Sequence, residues 1–132
     1  MDWYAGKKEE AEKTKDASSE MHDDDTANRV ETLNNRIYFY SEVTRTKILT
    51  LNKKLTSLNI SLANQVNTLD LNYMHANIRL YINSFGGSVF AGFSAVDYIK
   101  KSKIPVETII DGCAASAATM MSIVAQRRYM NE

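Results

Sequence analysis

Two segments of similar design, each a short apolar run followed by a glycine turn and a helical pattern, constrain the fold of this 132-residue chain. Residues 78–83 predict a buried strand, a Gly-Gly pair turns the chain, and residues 89–101 carry apolar side chains at helical spacing. Residues 106–110 and 114–125 repeat this order around a single glycine. Because such crossovers are long enough to connect parallel strands, the sequence predicts an α/β fold with a parallel sheet and helices on its faces.

The preceding region predicts one more strand and an amphipathic helix. Residues 36–40 are aromatic and β-branched and are bounded by polar residues, as in a short buried strand. Leucine and isoleucine then recur at three- and four-residue steps from Ile48 to Leu62, which predicts a helix with one apolar stripe that packs on the sheet. The asparagine-rich residues 64–77 lose this stripe and predict a loose helix end and a connection.

The first 32 residues differ in composition from the rest. Residues 1–32 contain ten acidic and five basic side chains, few apolar residues and no sustained period, which predicts a mobile N-terminal tail. Residues 33–132 are long enough for one domain with a core. The whole chain has 16 basic and 16 acidic residues, and this balance disfavours nucleic acid as a partner, because nucleic-acid-binding domains usually carry a basic face.

Cysteine and histidine usage bears on the compartment and on metal binding. Cys113 is the single cysteine, so an internal disulfide is impossible and a reducing compartment is favoured.

No apolar run reaches the roughly 20 residues that span a bilayer, and the N-terminus is charged where a signal peptide would be apolar. We therefore expect a cytoplasmic protein with no membrane partner. His22 and His75 are interpreted as solvated surface side chains, and no metal site is expected.

The glycine pair that follows the strand at residues 78–83 has two interpretations. In the simpler one, Gly86 and Gly87 only permit a positive φ in a tight turn. In the other, backbone N–H groups left free by the turn bind a developing oxyanion, an approach that a Cβ on Gly87 would obstruct. Nucleotide binding is disfavoured, because neither G-x-x-x-x-G-K nor G-x-G-x-x-G occurs.

A serine among alanines opens the last predicted helix. Ser116 either caps that helix by accepting a backbone hydrogen bond or acts as a nucleophile in an uncluttered site. The helix N-terminus supplies free N–H groups and a partial positive charge, which makes the N–H of Ala117 a candidate oxyanion donor. Cys113 is a competing nucleophile in principle, but it lacks an evident base and is interpreted as a packing residue.

Residues 80–125 closely resemble the proteolytic subunit of the Clp ATP-dependent protease, in which an L-Y-I-N-S-P-G-G segment is followed by a G-x-A-A-S nucleophile motif. Residues 33–44 are similar to that family's first strand and the turn after it, so the resemblance runs from near residue 30 to the end. It implies a Clp-like, crotonase-like α/β fold of repeated strand-turn-helix units, incomplete at the C-terminus, with residues 33–132 as the N-terminal part of the peptidase domain. Phe85 stands where the family usually has proline, and Ala117 where it usually has methionine.

The resemblance implies a serine endopeptidase in which Ser116 is the nucleophile and Gly87 and Ala117 donate backbone N–H groups to the oxyanion. In the family a catalytic histidine and then an aspartate follow the serine, and neither is found before Glu132. The chain therefore looks truncated, and the 132 residues alone are expected to be inactive. Two alternatives stay open: a noncatalytic or degenerate Clp-like ring subunit, and a serine enzyme of the signal-peptide-peptidase type with a downstream lysine as base.

The resemblance also implies partners. Unfolded proteins or peptides would be the substrates, and the complete subunits would assemble into rings of seven. An unfoldase of the AAA+ class would use the ATP, so this chain itself would need no cofactor.

Overall fold

The computed structural model describes residues 27–70 and 76–131. Two consecutive strands come first, and helices and strands then alternate along this part of the chain, as the repeated strand-turn-helix pattern predicted. The elements in chain order are β1 (Arg29–Leu33), β2 (Arg36–Tyr40), α1 (Arg45–Thr68), β3 (Ile78–Ser84), α2 (Val89–Lys101), β4 (Val106–Ala114), α3 (Ala117–Ile123) and β5 (Arg127–Met130). None of the helices in these ranges is long and apolar enough to cross a membrane.

The strands form one sheet with the order β1-β2-β3-β4-β5. The pairs β2–β3, β3–β4 and β4–β5 are parallel, while β1 runs antiparallel to β2 at one edge. The predicted α/β fold with a parallel sheet is therefore confirmed. Parallel neighbours place the carboxyl ends of β2, β3 and β4 at the same edge of the sheet, and this is the edge at which Gly87 and Ser116 lie.

The antiparallel edge strand lies partly in the segment that the sequence assigned to the tail. A two-residue turn joins β1 to β2, and Asn34 takes the positive φ of 54° that such a turn requires. The side chains of β1 are mostly exposed, so its composition resembles that of a solvated segment although its backbone pairs with β2. The predicted domain boundary at residue 33 thus falls inside β1. The rest of that tail, residues 1–26, lies outside the described residues.

The core lies between one face of the sheet and the three described helices. Alternate residues of β2 and β3 are buried there, as the period of two requires, and α1 adds the apolar stripe that the sequence predicted. The largest fully buried side chains include Ile37, Phe39, Ile48, Leu51, Leu55, Ile78, Leu80, Ile82 and Met121.

Helix α2 has the predicted bounds but buries its small residues instead of its aromatic ones. Ala91, Gly92 and Ala95 face the interior, whereas the Phe90 side chain is 86% exposed. The reason is the close approach of α3: a Cβ added to Gly92 would lie 2.9 Å from the Met120 Cε atom. Only small side chains fit such a helix contact, so the aromatic residues of α2 project away from it.

The last elements differ in length from the predictions. Strand β4 continues to Ala114, four residues past the predicted end, and α3 is shorter than the predicted helix of residues 114–125. The following strand, β5, was not predicted. Its residues are all exposed and begin with two arginines, so no apolar alternation marks them as a strand.

Two leucines of α1 provide a matched test of this core. Leu51 is 0% exposed and Leu49 is 55% exposed. We expect Leu51→Ala to lower the free energy of unfolding by about 2–5 kcal/mol, because it removes buried methyl groups and leaves a cavity. Leu49→Ala is expected to change it by less than about 0.5 kcal/mol. Urea unfolding followed by far-UV circular dichroism measures both, and equal effects would contradict this packing of α1.

Candidate active site

The turn after β3 is held by hydrogen bonds on both sides. Gly86 and Gly87 have φ angles of 104° and 147°, which residues with a Cβ rarely adopt. On one side, the buried Ser84 hydroxyl accepts a hydrogen bond from the Gly86 N–H at 3.1 Å. On the other side, the Val43 N–H donates to the Gly86 carbonyl at 2.8 Å. These bonds are present with Phe85 in the position where Clp proteases usually have proline.

Gly87 itself is in close contact with the segment before α1. The Ser88 N–H donates to the Val43 carbonyl at 2.8 Å, and a Cβ on Gly87 would lie 2.4 Å from that same carbonyl oxygen. The bridge to Val43 uses the carbonyl of Gly86 and the N–H of Ser88. The N–H of Gly87 therefore has no hydrogen-bond partner among residues 27–70 and 76–131.

Ser116 occupies a sharp turn between β4 and α3. Its backbone has a φ of 53° and a ψ of −124°, and its side chain makes no capping hydrogen bond. The simpler interpretation of Ser116 as a helix cap therefore has no support in the hydrogen bonds. A non-glycine residue in this region costs about 1–3 kcal/mol and is held there only by its surroundings. An exposed serine on a strained strand-to-helix turn is the arrangement known as a nucleophile elbow.

The fold brings the glycine turn against this elbow. A Cβ on Gly86 would lie 2.6 Å from the Ser116 Cβ and 3.2 Å from the Ala117 nitrogen. The Ala115 N–H donates to the Ser84 carbonyl at 3.0 Å, which ties the elbow to the end of β3. Ser116, Ala117 and the turn that contains Gly87 thus lie together, although they come from two separate strand-turn-helix units.

The first turn of α3 leaves one N–H available next to Ser116. The N–H groups of Ala118 and Thr119 donate to the carbonyls of Ala115 and Ser116 at 3.1 and 3.0 Å. The Ala117 N–H has no such partner in the described part of the chain. Two free backbone N–H groups, those of Gly87 and Ala117, are therefore present beside an exposed serine.

An open cleft of about 540 Å³ adjoins the glycine turn. Its lining includes Tyr40, Glu42, Phe85 and Gly87, but not Ser116. The Phe85 side chain is 84% exposed at the rim.

The Ser116 hydroxyl has no hydrogen-bond partner for proton transfer among residues 27–70 and 76–131. The sequence has no histidine after residue 75, and both His22 and His75 lie outside the described residues. Among the residues that the structure describes, no group of three or more histidine, cysteine, aspartate or glutamate side chains is placed to hold a metal ion. Cys113 is a half-buried free thiol in β4, and its interpretation as a packing residue stays a prediction.

Two residues that support the site were not predicted from the sequence. Val43 holds the glycine turn through its main chain, while Ser84 holds the turn through its hydroxyl and the serine elbow through its carbonyl. Main-chain hydrogen bonds put no requirement on residue type, so Val43 carries no sequence signal. Ser84 lies in the segment that resembles the L-Y-I-N-S-P-G-G motif, but nothing in the sequence assigned it the role of holding the turn.

A serine elbow beside a glycine turn with free N–H groups, at the edge of a mainly parallel sheet, is an arrangement typical of hydrolases. Comparison with protein families matches residues 12–131 to the family described as Clp protease. The chain belongs to the Clp protease family.

Individual relatives agree with this membership. The chain is 37% identical over 90 residues to the ATP-dependent Clp protease proteolytic subunit 1 of Chlamydia muridarum, covering 68% of this chain and 41% of that one. It is 44% identical over 57 residues to the subunit of the same name from Chlamydia caviae, covering 43% of this chain and 30% of that one. The chain thus spans less than half the length of these relatives.

Solved structures show the same fold. ClpP1 from Listeria monocytogenes superimposes with a TM-score of 0.58 at 28% identity, over 70% of this chain and 47% of that one. The ClpP protease catalytic domain from Plasmodium falciparum gives a TM-score of 0.59 at 26% identity, over 73% of this chain and 53% of that one.

Gly87 is the position at which the turn is most easily disrupted. We expect Gly87→Ala to lower the free energy of unfolding by about 1–3 kcal/mol, because the added Cβ clashes with the Val43 carbonyl and a φ of 147° is strained for alanine. Thermal unfolding measures the effect. Gly92→Ala is the control, because the atom nearest to its added Cβ is the flexible end of the Met120 side chain. If Gly87→Ala lowered the free energy of unfolding no more than Gly92→Ala does, the described turn would be contradicted.

Proposed function

We propose that this chain carries the nucleophile and the oxyanion site of a Clp-type serine endopeptidase. Ser116 attacks the carbonyl carbon of a peptide bond, and the N–H groups of Gly87 and Ala117 bind the oxygen as it becomes negative. The substrate class is the peptide bonds of unfolded proteins. Tetrahedral intermediate formation and collapse then release an amine and leave an acyl group on the serine, which water removes.

The observation that carries this proposal is the conformation of Ser116 next to the glycine turn. The positive φ of Ser116 and the free N–H groups beside it have a use in acyl transfer, whereas a helix cap would need neither. One oxyanion donor typically stabilises the transition state by about 2.7–4 kcal/mol. The two donors are held in place by close backbone contacts that only glycine permits at residues 86 and 87.

The general base belongs to the same proposal. A serine hydroxyl is a weak nucleophile until a base takes its proton, and no histidine follows Ser116 within the 132 residues. By resemblance to the Clp proteases, we propose that a histidine and an aspartate from outside these residues complete the triad. The two alternatives to this triad are a noncatalytic subunit and an enzyme that uses a lysine as its base.

Assembly into rings is the second part of the proposal. The described helices leave large apolar side chains uncovered, notably Phe90 and Phe93 of α2. A monomer rarely exposes such a patch without a partner. By resemblance, we propose that subunits associate into rings of seven and receive unfolded chains from an AAA+ unfoldase that consumes the ATP. The peptidase chain itself needs neither cofactor nor metal.

The protein made from the complete reading frame provides the test. We expect it to hydrolyse a fluorogenic peptide and Ser116→Ala to lower kcat by at least about 10⁴-fold, because the nucleophile is lost. Ser61→Ala, an exposed serine of α1, and Cys113→Ala are the controls and are expected to keep the wild-type rate. Residues 1–132 alone are expected to act near background.

Three results would count against the triad. Equal activity of Ser116→Ala and wild type would remove Ser116 as the nucleophile, and loss of activity only in Cys113→Ala would assign that role to the thiol. A complete reading frame without a histidine after Ser116 would favour the noncatalytic subunit, or the lysine-based enzyme if activity persists and depends on a lysine.

A further inference from the structure

Strand β4 contains a bulge immediately before the serine elbow. Ile82 of β3 pairs with Ile110 of β4, but Ser84 pairs with Ala114. Asn83 alone therefore faces three residues of β4, Asp111 to Cys113. The bulged strand is two residues longer than its neighbour at this point.

The bulge sets where the elbow lies. With regular pairing, Ser84 would face Gly112 instead of Ala114. The elbow would then lie two residues further beyond Ser84, a distance of about 6–7 Å in an extended strand. The hydrogen bond from the Ala115 N–H to the Ser84 carbonyl is formed only because the bulge takes up these two residues. The contact between Ser116 and the glycine turn depends on the same offset.

The side chain of Asn83 fills this bulge. Its Nδ2 donates to the Asp111 carbonyl at 2.8 Å, a main-chain group that the regular ladder no longer uses. The backbone of Gly112, with a φ of 94°, lies close to the same amide. A Cβ added to Gly112 would lie 3.1 Å from the Asn83 Nδ2. The asparagine amide therefore makes both the hydrogen bond and the close contact that fix the path of the bulged strand.

Two side chains at the ends of other strands donate hydrogen bonds to the Asp111 carboxylate. The Tyr40 hydroxyl at the end of β2 donates to one carboxylate oxygen, and the Asn131 amide after β5 donates to the other at 3.4 Å. The main chain of Asp111 is thus held by Asn83 and its side chain by Tyr40. This gives the bulge a defined position across the carboxyl edge of the sheet.

We propose that Asn83 is a positioning residue for Ser116: it holds the β4 bulge that brings the serine elbow against the glycine turn. This inference rests on the proposed role of Ser116 as the nucleophile. The Asn83 amide donates to the Asp111 carbonyl and makes no hydrogen bond to Ser116 among the described residues, so its loss acts through the geometry of the elbow. A displacement of the nucleophile by about 1 Å is enough to cost on the order of 100-fold in rate.

The test is the labelling of Ser116 by a fluorophosphonate probe in the protein made from the complete reading frame. We expect Asn83→Ala and Asn83→Asp to lower the labelling rate at saturating probe about 10- to 100-fold, with apparent probe affinity changed less than about 3-fold. Asn83→Asp keeps the side-chain shape but replaces the donor with a carboxylate. The control is Asn59→Ala, which removes an asparagine that links α1 to Ser102 and Ile104 far from the serine.

Hydrogen exchange gives a second readout that needs no activity. In Asn83→Ala, amides of residues 111–119 are expected to exchange at least about 10-fold faster than in wild type, while those of α1 keep their rates. Labelling rates equal to those of Asn59→Ala, or unchanged exchange at residues 111–119, would overturn the role of Asn83. A wild-type protein that is not labelled would overturn the proposed function instead, and the exchange rates would then decide on Asn83.

Discussion

The parallel pairing of β3 with β4 is the interaction on which the rest of the site depends. It places the ends of two strands side by side, so that the turn after one strand meets the elbow after the other. The hydrogen bond from the Ala115 N–H to the Ser84 carbonyl is the last rung of this pairing. Gly87 and Ser116 are distant in sequence and become neighbours only through this ladder.

The surrounding packing keeps three residues with positive φ in place, of which only Ser116 is strained, because glycine adopts such angles readily. Positive φ angles at Gly86, Gly87 and Ser116 would relax in an isolated segment, but each is fixed by hydrogen bonds or by contacts with a buried neighbour. Ala117 and Ala118 are almost fully buried, so α3 approaches both the sheet and α2 closely. This close packing leaves the phenylalanines of α2 on the surface.

The sequence predicted the parts of the fold that have a regular apolar pattern. Helices α1 and α2 were predicted from apolar residues that recur every three to four positions, and strands β2 and β3 from short runs of apolar, aromatic and β-branched residues. Strand β5 was missed since its pairing with β4 involves main-chain groups of exposed residues such as Arg127. Ser116 and Gly87 were predicted from residue type and family resemblance. Asn83 was not, because its role depends on a register shift between strands that no local pattern encodes.

The central claim is that Gly87 and Ala117 form an oxyanion site for a nucleophilic Ser116. The most direct measurement is a crystal structure of the protein from the complete reading frame after reaction with a fluorophosphonate. The account predicts a phosphorus–Oγ bond at Ser116 and a phosphonyl oxygen about 2.7–3.1 Å from the backbone nitrogens of Gly87 and Ala117. An adduct on another residue, or a phosphonyl oxygen directed away from both nitrogens, would contradict it.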